Sequence, residues 1–174
     1  MTSLLKVDEI QDAAGKKILQ NTGSILQVQT AFTFAHQTIS TTTWTDVETV
    51  DITPTSSSSN ILIRAFGYWA SDSGNQGLAR LTRDSTKLGI NVLQPISSDT
   101  QYEAFCQVDG NSGDLRRVRH PLYVEYIDSP ATTSQITYKV QVRHYSGGNI
   151  YMNRWAHDTN WKTPMMLSVT EISA

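Results

Sequence analysis

The sequence predicts an all-β protein: an antiparallel, jelly-roll-like sandwich behind a short extended or hairpin leader. Three observations carry that expectation. Apolar and polar residues alternate with a period of two in many short runs. Clusters of Gly, Pro, Asn, Asp and Ser separate the runs, and no amphipathic helix of ordinary length occurs after residue 24. Roughly eight to ten strands at such spacing make a sandwich or jelly roll. The length of 174 residues suits one compact domain plus an extension, or at most two very small domains. The expected division is an attachment leader over residues 1–24 and a head over residues 25–174.

In the leader, Leu4, Val7, Ile10, Ala14 and Ile18 recur at roughly helical spacing. Alternation around the turn-like Asp12-Ala13-Ala14-Gly15-Lys16 favours a short hairpin instead. Neither a lone hairpin nor a short helix persists in water. Leu4, Val7, Ile10, Ile18 and Leu19 are therefore expected to be covered by a neighbour, as attachment residues.

Asn21-Thr22-Gly23-Ser24 marks a break, and the first head strand follows. Leu26, Val28, Thr30, Phe32 and Phe34 give it one mostly apolar face, opposite Gln27, Gln29, Ala31 and Thr33. A second strand spans 44–53 and is closed by Pro54 and the serine run 56–59. Residues 60–70 are apolar on both faces apart from Arg64. That pattern marks a strand buried on both sides, or buried on one side with a subunit interface on the other. Ile61, Ile63, Phe66, Tyr68 and Trp69 are the candidate interface residues, and Arg64 needs a carboxylate partner because an unpaired buried charge is costly.

Residues 77–84 and 87–92 flank a tight hairpin connection at Asp84-Ser85-Thr86, and a strand over 121–128 ends at Asp128-Ser129-Pro130. Over 135–145 the alternation is clean: Ile136, Tyr138, Val140, Val142 and His144 face one way, Thr137, Lys139, Gln141 and Arg143 the other. Gly147-Gly148 turns the chain into 149–153, and Met165, Leu167 and Val169 begin a last strand ending at Ile172.

Charged residues make up 17% of the chain, below the roughly 25% usual in soluble domains, and Ser, Thr, Asn and Gln replace them. A net charge of −2 supplies no long-range field for nucleic acid or an anionic membrane. The single cysteine, Cys106, excludes an internal disulfide and a cysteine-based zinc site, and its apolar run suits a buried, inert thiol. No window approaches the roughly 18 apolar residues of a membrane span. Lys6, Asp8, Glu9 and Asp12 interrupt any signal-peptide core. A polar, weakly charged surface without an export signal is what a virus particle released by lysis would carry.

Chemistry is sparse. His36, His120, His144 and His157 share no metal-ligand spacing, and no nucleophile-elbow, zincin or phosphate-loop motif occurs. Asp46 and Glu48 alternate onto one strand face as a glycosidase-like pair, against which stands the ordinary solvated role of strand and turn carboxylates. No catalytic residue, metal or cofactor is expected. Two clusters are candidate receptor or partner contacts. Arg116 and Arg117 begin the basic run that ends at His120; Tyr151, Asn153, Arg154 and Trp155, with Trp161, suit sugar stacking or a protein interface.

The leader pattern Leu4-x-Lys6-Val7-Asp8-x-Ile10-Gln11-x-x-x-Gly15-Lys16-x-Ile18-Leu19 resembles the start of many fibre-like virion proteins of phages, particularly those infecting cyanobacteria. The hairpin 81–89, the run 126–134, the segment 138–142 and the closing strand 165–172 resemble the trimeric jelly-roll heads of phage fibres. The resemblance implies a homotrimer in the virion, with the leader on another tail or capsid protein and the head projecting outward. The function it implies is non-enzymatic: a short tail fibre or appendage for host attachment. A trimeric capsid decoration (cement) protein is one alternative, and a carbohydrate-binding module on a host-surface glycan is another. Neither nucleic acid nor membrane insertion is expected.

Overall fold

The computed structural model describes residues 10–11, 13, 17–19, 23–71, 77–89, 106–108, 120–145, 148–154, 160 and 162–174. Those residues form thirteen strands and no helix, and every strand pairing is antiparallel. The protein is all-β, with two main sheets packed as a β-sandwich.

One sheet has six strands: β3 (Ile25–Thr33), β4 (Gln37–Ile39), β6 (Asn60–Ser71), β10 (His120–Asp128), β12 (Ile150–Met152) and β13 (Met165–Ile172). The other has five: β5 (Thr45–Ile52), β7 (Gly77–Arg83), β8 (Thr86–Leu88), β9 (Cys106–Val108) and β11 (Ile136–His144). In the leader, β1 (Ile10–Gln11) and β2 (Lys17–Leu19) form a small sheet of their own, as a hairpin rather than a helix requires.

β6 is the spine. Of its twelve residues, 61–69 pair with β10 along one edge; along the other, 60–66 pair with β13 and 69–71 with β12. Outside β13 lies β3, so the main face of this sheet runs β3-β13-β6-β10. In the second sheet β11 is central, with β5 and β7 on either side.

The core lies between the sheets. The six-stranded sheet contributes Ile61, Ile63, Ala65, Trp69, Leu122, Ile150, Met152, Met165, Leu167 and Val169. The other contributes Val47, Val50, Ile52, Ala79, Leu81, Ile136, Tyr138, Val140 and Val142. Each large side chain here gains about 1.5–3 kcal/mol by leaving water. This corrects part of the interface expectation for β6. Ile61, Ile63 and Trp69 have no exposed surface because the facing sheet covers them within one chain, so they have nothing to offer a second subunit. Only Phe66 and Tyr68 point the other way.

Two carboxylates are buried at the end of the sandwich where β3 begins. Arg83 Nη1 donates to both oxygens of Asp128 (2.9 and 2.8 Å), and the Tyr138 hydroxyl donates to Asp128 Oδ2 (2.7 Å). Burial first, and then the adjacent Asp128, pushes the Tyr138 hydroxyl far above its ordinary pKa. Glu171 continues the inward series of β13 and is fully buried. It accepts hydrogen bonds from Gln27 Nε2 (2.7 Å), the Thr55 amide (2.7 Å) and the Thr55 hydroxyl (2.8 Å). Burial raises its carboxyl, but the hydrogen bonds from Gln27 and Thr55 outweigh this and hold it at about 2. The same end is closed by the backbone, where Gly23 N donates to Ser173 O (2.8 Å) and Ser173 N to Ser24 O (2.9 Å).

The hairpin at 84–86 forms with a two-residue turn, since Arg83 pairs with Thr86. Asp84 adopts a left-handed conformation (φ 51°), which Asp tolerates better than most residues. It is locked to β11 by reciprocal bonds: Asp84 N to Thr137 O (2.7 Å) and Thr137 N to Asp84 Oδ1 (2.9 Å).

Candidate interaction surfaces

The outer face of the six-stranded sheet is apolar. The apolar side of β3 points away from the facing sheet, so the face that alternation marks as hydrophobic is the one turned to solvent. Val28, Phe32, Tyr123 and Ile127 are 52, 55, 59 and 59% exposed, and Leu26 and Phe34 are exposed beside them. Isolated exposed apolar residues are ordinary, but contiguous ones mark a contact surface.

Register sorts these residues into three layers across β3, β13, β6 and β10. One layer is Val28, Thr170, Leu62 and Ile127. The next is Thr30, Ser168, Arg64 and Glu125. The third is Phe32, Met166, Phe66 and Tyr123, extended by Phe34 and Tyr68, whose rings stand edge-to-face on Phe32 (4.9 Å) and Phe66 (5.3 Å). The middle layer is internally satisfied. Arg64 Nε donates to Glu125 Oε2 at 2.6 Å, the carboxylate that Arg64 was expected to need. The Thr30 hydroxyl donates to Ser168 Oγ (3.2 Å).

The outer face of β5 and β11 is polar instead. Asp46 accepts from Lys139 Nζ (2.9 Å) and Gln141 Nε2 (2.6 Å), while Asp51 accepts from Thr137 Oγ1 (2.6 Å) and Gln135 Nε2 (2.9 Å). Partial burial opposes the charge of Asp46, yet the bonds from Gln141 and Lys139 prevail and lower its pKa. Sequence reasoning missed the neighbouring cluster, in which the Trp44 ring carries the guanidinium of Arg80 at 4.2 Å and that of Arg143 at 4.9 Å. Its members come from three separate segments, so no local spacing pointed to it.

The expectation that Asp46 and Glu48 share a face is corrected. The β5–β11 register shifts between Val140 and Gln141, so Asp46 lies opposite Gln141 and Glu48 opposite the buried Val140. This β-bulge puts Val47 and Glu48 on the core side and leaves Asp46 outside. The two carboxylates therefore lie on opposite faces and cannot flank one glycosidic bond. Burial raises the pKa of Glu48, partly countered by the Thr49 amide bonded to it.

At the far end of β6 from the β3 entry, Arg154 lies over the Tyr151 ring (4.4 Å) and donates from Nη2 to Thr38 Oγ1 (2.9 Å). Asn153 does not belong to a contact surface. It is buried, left-handed (φ 62°), and tied by its amide to Tyr68 O (3.0 Å), by its side chain to Ala35 O (3.0 Å) and by its carbonyl to the Thr163 amide (3.0 Å). It shapes the turn that presents Tyr151 and Arg154. Trp155, Trp161, Arg116 and Arg117 lie outside the described residues. So do Leu4 and Val7, and for Ile10, Ile18 and Leu19 only the backbone pairing of the leader hairpin is described.

Among the described residues, no three His, Cys, Asp or Glu side chains gather in a metal-binding group, and no helix is long and apolar enough to cross a membrane. No family model matches the chain, and no curated protein matches it.

Proposed function

We propose that the protein is a non-enzymatic virion structural protein: a short, homotrimeric tail fibre or appendage of a bacteriophage. It attaches to the particle through its leader and presents its β-sandwich head, of jelly-roll type, for host contact. The observation that carries this reading is the polarity of the head. The chain enters β3 beside the end of β13, at the end of the sandwich closed by Glu171 and Asp128. Tyr151 pairs with Ala70, near the other end of β6. At about 3.3 Å per residue, the ten steps from Asn60 to Ala70 separate the two ends by about 33 Å. An attachment segment at one end and an aromatic–guanidinium pair at the other is the layout an appendage needs. The resemblance of the leader and strand motifs to phage fibre proteins supports the same reading, as does the weakly charged surface.

Particles labelled with a gold-conjugated antibody against the head test it. Label on the tail, together with phage adsorption blocked by the same antibody, is the expected result. Label spread over the capsid, with adsorption intact and heat resistance lost on removal of the protein, would mean a decoration protein instead.

A further inference from the structure

We propose that the layered outer face of β3, β13, β6 and β10 is the surface through which copies of this chain assemble, with the strands running along the symmetry axis. The proposal rests on the homotrimer reading above and deepens it by naming the surface.

Composition argues first. The face carries Val28, Phe32, Tyr123 and Ile127 at more than half exposure on a single chain, whereas the outer face of β5 and β11 is covered by Asp46, Lys139, Gln141, Asp51 and Thr137. Among the described residues, an exposed apolar face is therefore a property of the six-stranded sheet.

Size argues second. Four strands about 4.8 Å apart and about nine residues long at about 3.3 Å each make a face of about 20 by 30 Å. With side-chain relief, that approaches the ~800 Å² that one partner contributes to a standard interface.

Charge and order identify the occupant. The middle layer holds one cation and one anion, Arg64 and Glu125, so the face is electrically balanced and calls for no oppositely charged foreign partner. Each layer has one dominant kind: aliphatic around Thr170, then polar, then aromatic around Met166. When strands lie along a common axis, each layer meets the same layer of the next copy. Aromatic rows then stack on aromatic rows, and the polar layer, with its Arg64–Glu125 pair already made within each chain, meets the polar layer of the next copy. A second copy thus covers both apolar layers and leaves no charge unpaired in the polar one. The same arrangement brings all leaders out at one end and all Tyr151–Arg154 pairs at the other.

Light scattering on the full-length protein tests the proposal. The wild type is expected at three times the 19.4 kDa chain mass. Phe32→Lys combined with Tyr123→Lys, both exposed in the single chain, is expected to run at the mass of one chain with an unchanged far-ultraviolet circular dichroism spectrum. Thr49→Lys, exposed on β5, should keep the wild-type mass. Should the double variant precipitate, a benzophenone side chain at Ile127 gives an independent readout. Irradiation should join wild-type-like chains to one another through peptides of β3, β6, β10 or β13. A trimer that survives the double variant, or one whose chains are not joined from Ile127, overturns the surface while leaving the homotrimer intact. A wild-type monomer overturns both.

Discussion

The two outer faces of this sandwich follow the same rule of alternation and present opposite chemistry. On β11 the rule runs in its familiar sense: Ile136, Tyr138, Val140 and Val142 go in, while Lys139 and Gln141 stay out and bind Asp46. On β3 the sense is reversed, with Val28 and Phe32 out and Ala31 against the core. Period two separates a strand into two faces; it does not say which of them meets the core. The core side of β3 is set by its neighbours, because β13 and β6 already supply Leu167, Val169, Ile61 and Ile63 to the inside. What is left on the other side of β3 is a hydrophobic surface that none of the described residues covers. An apolar and a polar side on one sheet mean a core and water; two apolar sides mean a core and, under the assembly proposed above, an interface.

The largest expected effect separates the inside of β6 from its outside. Trp69 and Tyr68 are adjacent in sequence and lie on opposite faces of the strand. Trp69→Ala empties a fully buried site and should cost about 3–5 kcal/mol in denaturant unfolding. Tyr68→Ala should leave the unfolding of the isolated chain far less affected and lower the fraction of oligomer in light scattering. If both variants lose stability equally and the oligomer is untouched, the distinction between core side and interface side of β6 fails.

Next in size is the pin at the β3 end. Glu171→Ala strands the donors of Gln27 and Thr55 and should cost about 1–3 kcal/mol. The wild-type contribution depends on pH in a defined sense. The folded carboxyl titrates at about 2 and an ordinary glutamate at 4.5, so the unfolded chain takes up the proton first. The stabilisation is complete above pH 4.5 and is lost as pH falls from there towards 2. Glu171→Gln should flatten that part of the stability–pH curve measured by urea unfolding. An unchanged acid limb would show that the carboxylate does not hold the end closed.

Much of this was legible in the sequence, for reasons that differ by residue. The strands β5, β6, β10, β11 and β13 follow from alternation and punctuation, and the Asp84 hairpin from turn chemistry. Arg64 meets the carboxylate that a lone cation in an apolar run suggests, Glu125, but it lies exposed on the outer face rather than buried, so burial did not demand the pair. Glu171 could have been found as well, since it continues the inward series Met165, Leu167, Val169 by one more step of two. The bulge at Val47–Glu48 could not, because a bulge breaks the very periodicity used to assign faces. Asn153 sat among Tyr151 and Arg154 as if it were a contact residue, and only the fold reveals its three backbone-directed bonds. Which side of β3 meets the core is a tertiary fact, set by strands far away in sequence.

The smallest expected effect belongs to the polar face and probes the comparison from its other side. Lys139→Ala breaks a partly exposed ion pair with Asp46 (2.9 Å), and partly exposed pairs contribute at most about 1 kcal/mol. Asp46 keeps its bond from Gln141, so the loss should sit at the low end and shrink further in high salt. The oligomer should not respond at all, because Lys139 lies on the outer face of the other sheet. Light scattering and urea unfolding of this one variant therefore read both halves of the contrast. A small stability change at unchanged mass is expected. A fall in mass would mean that copies meet through the polar face as well, and the division of labour between the two faces would have to be redrawn.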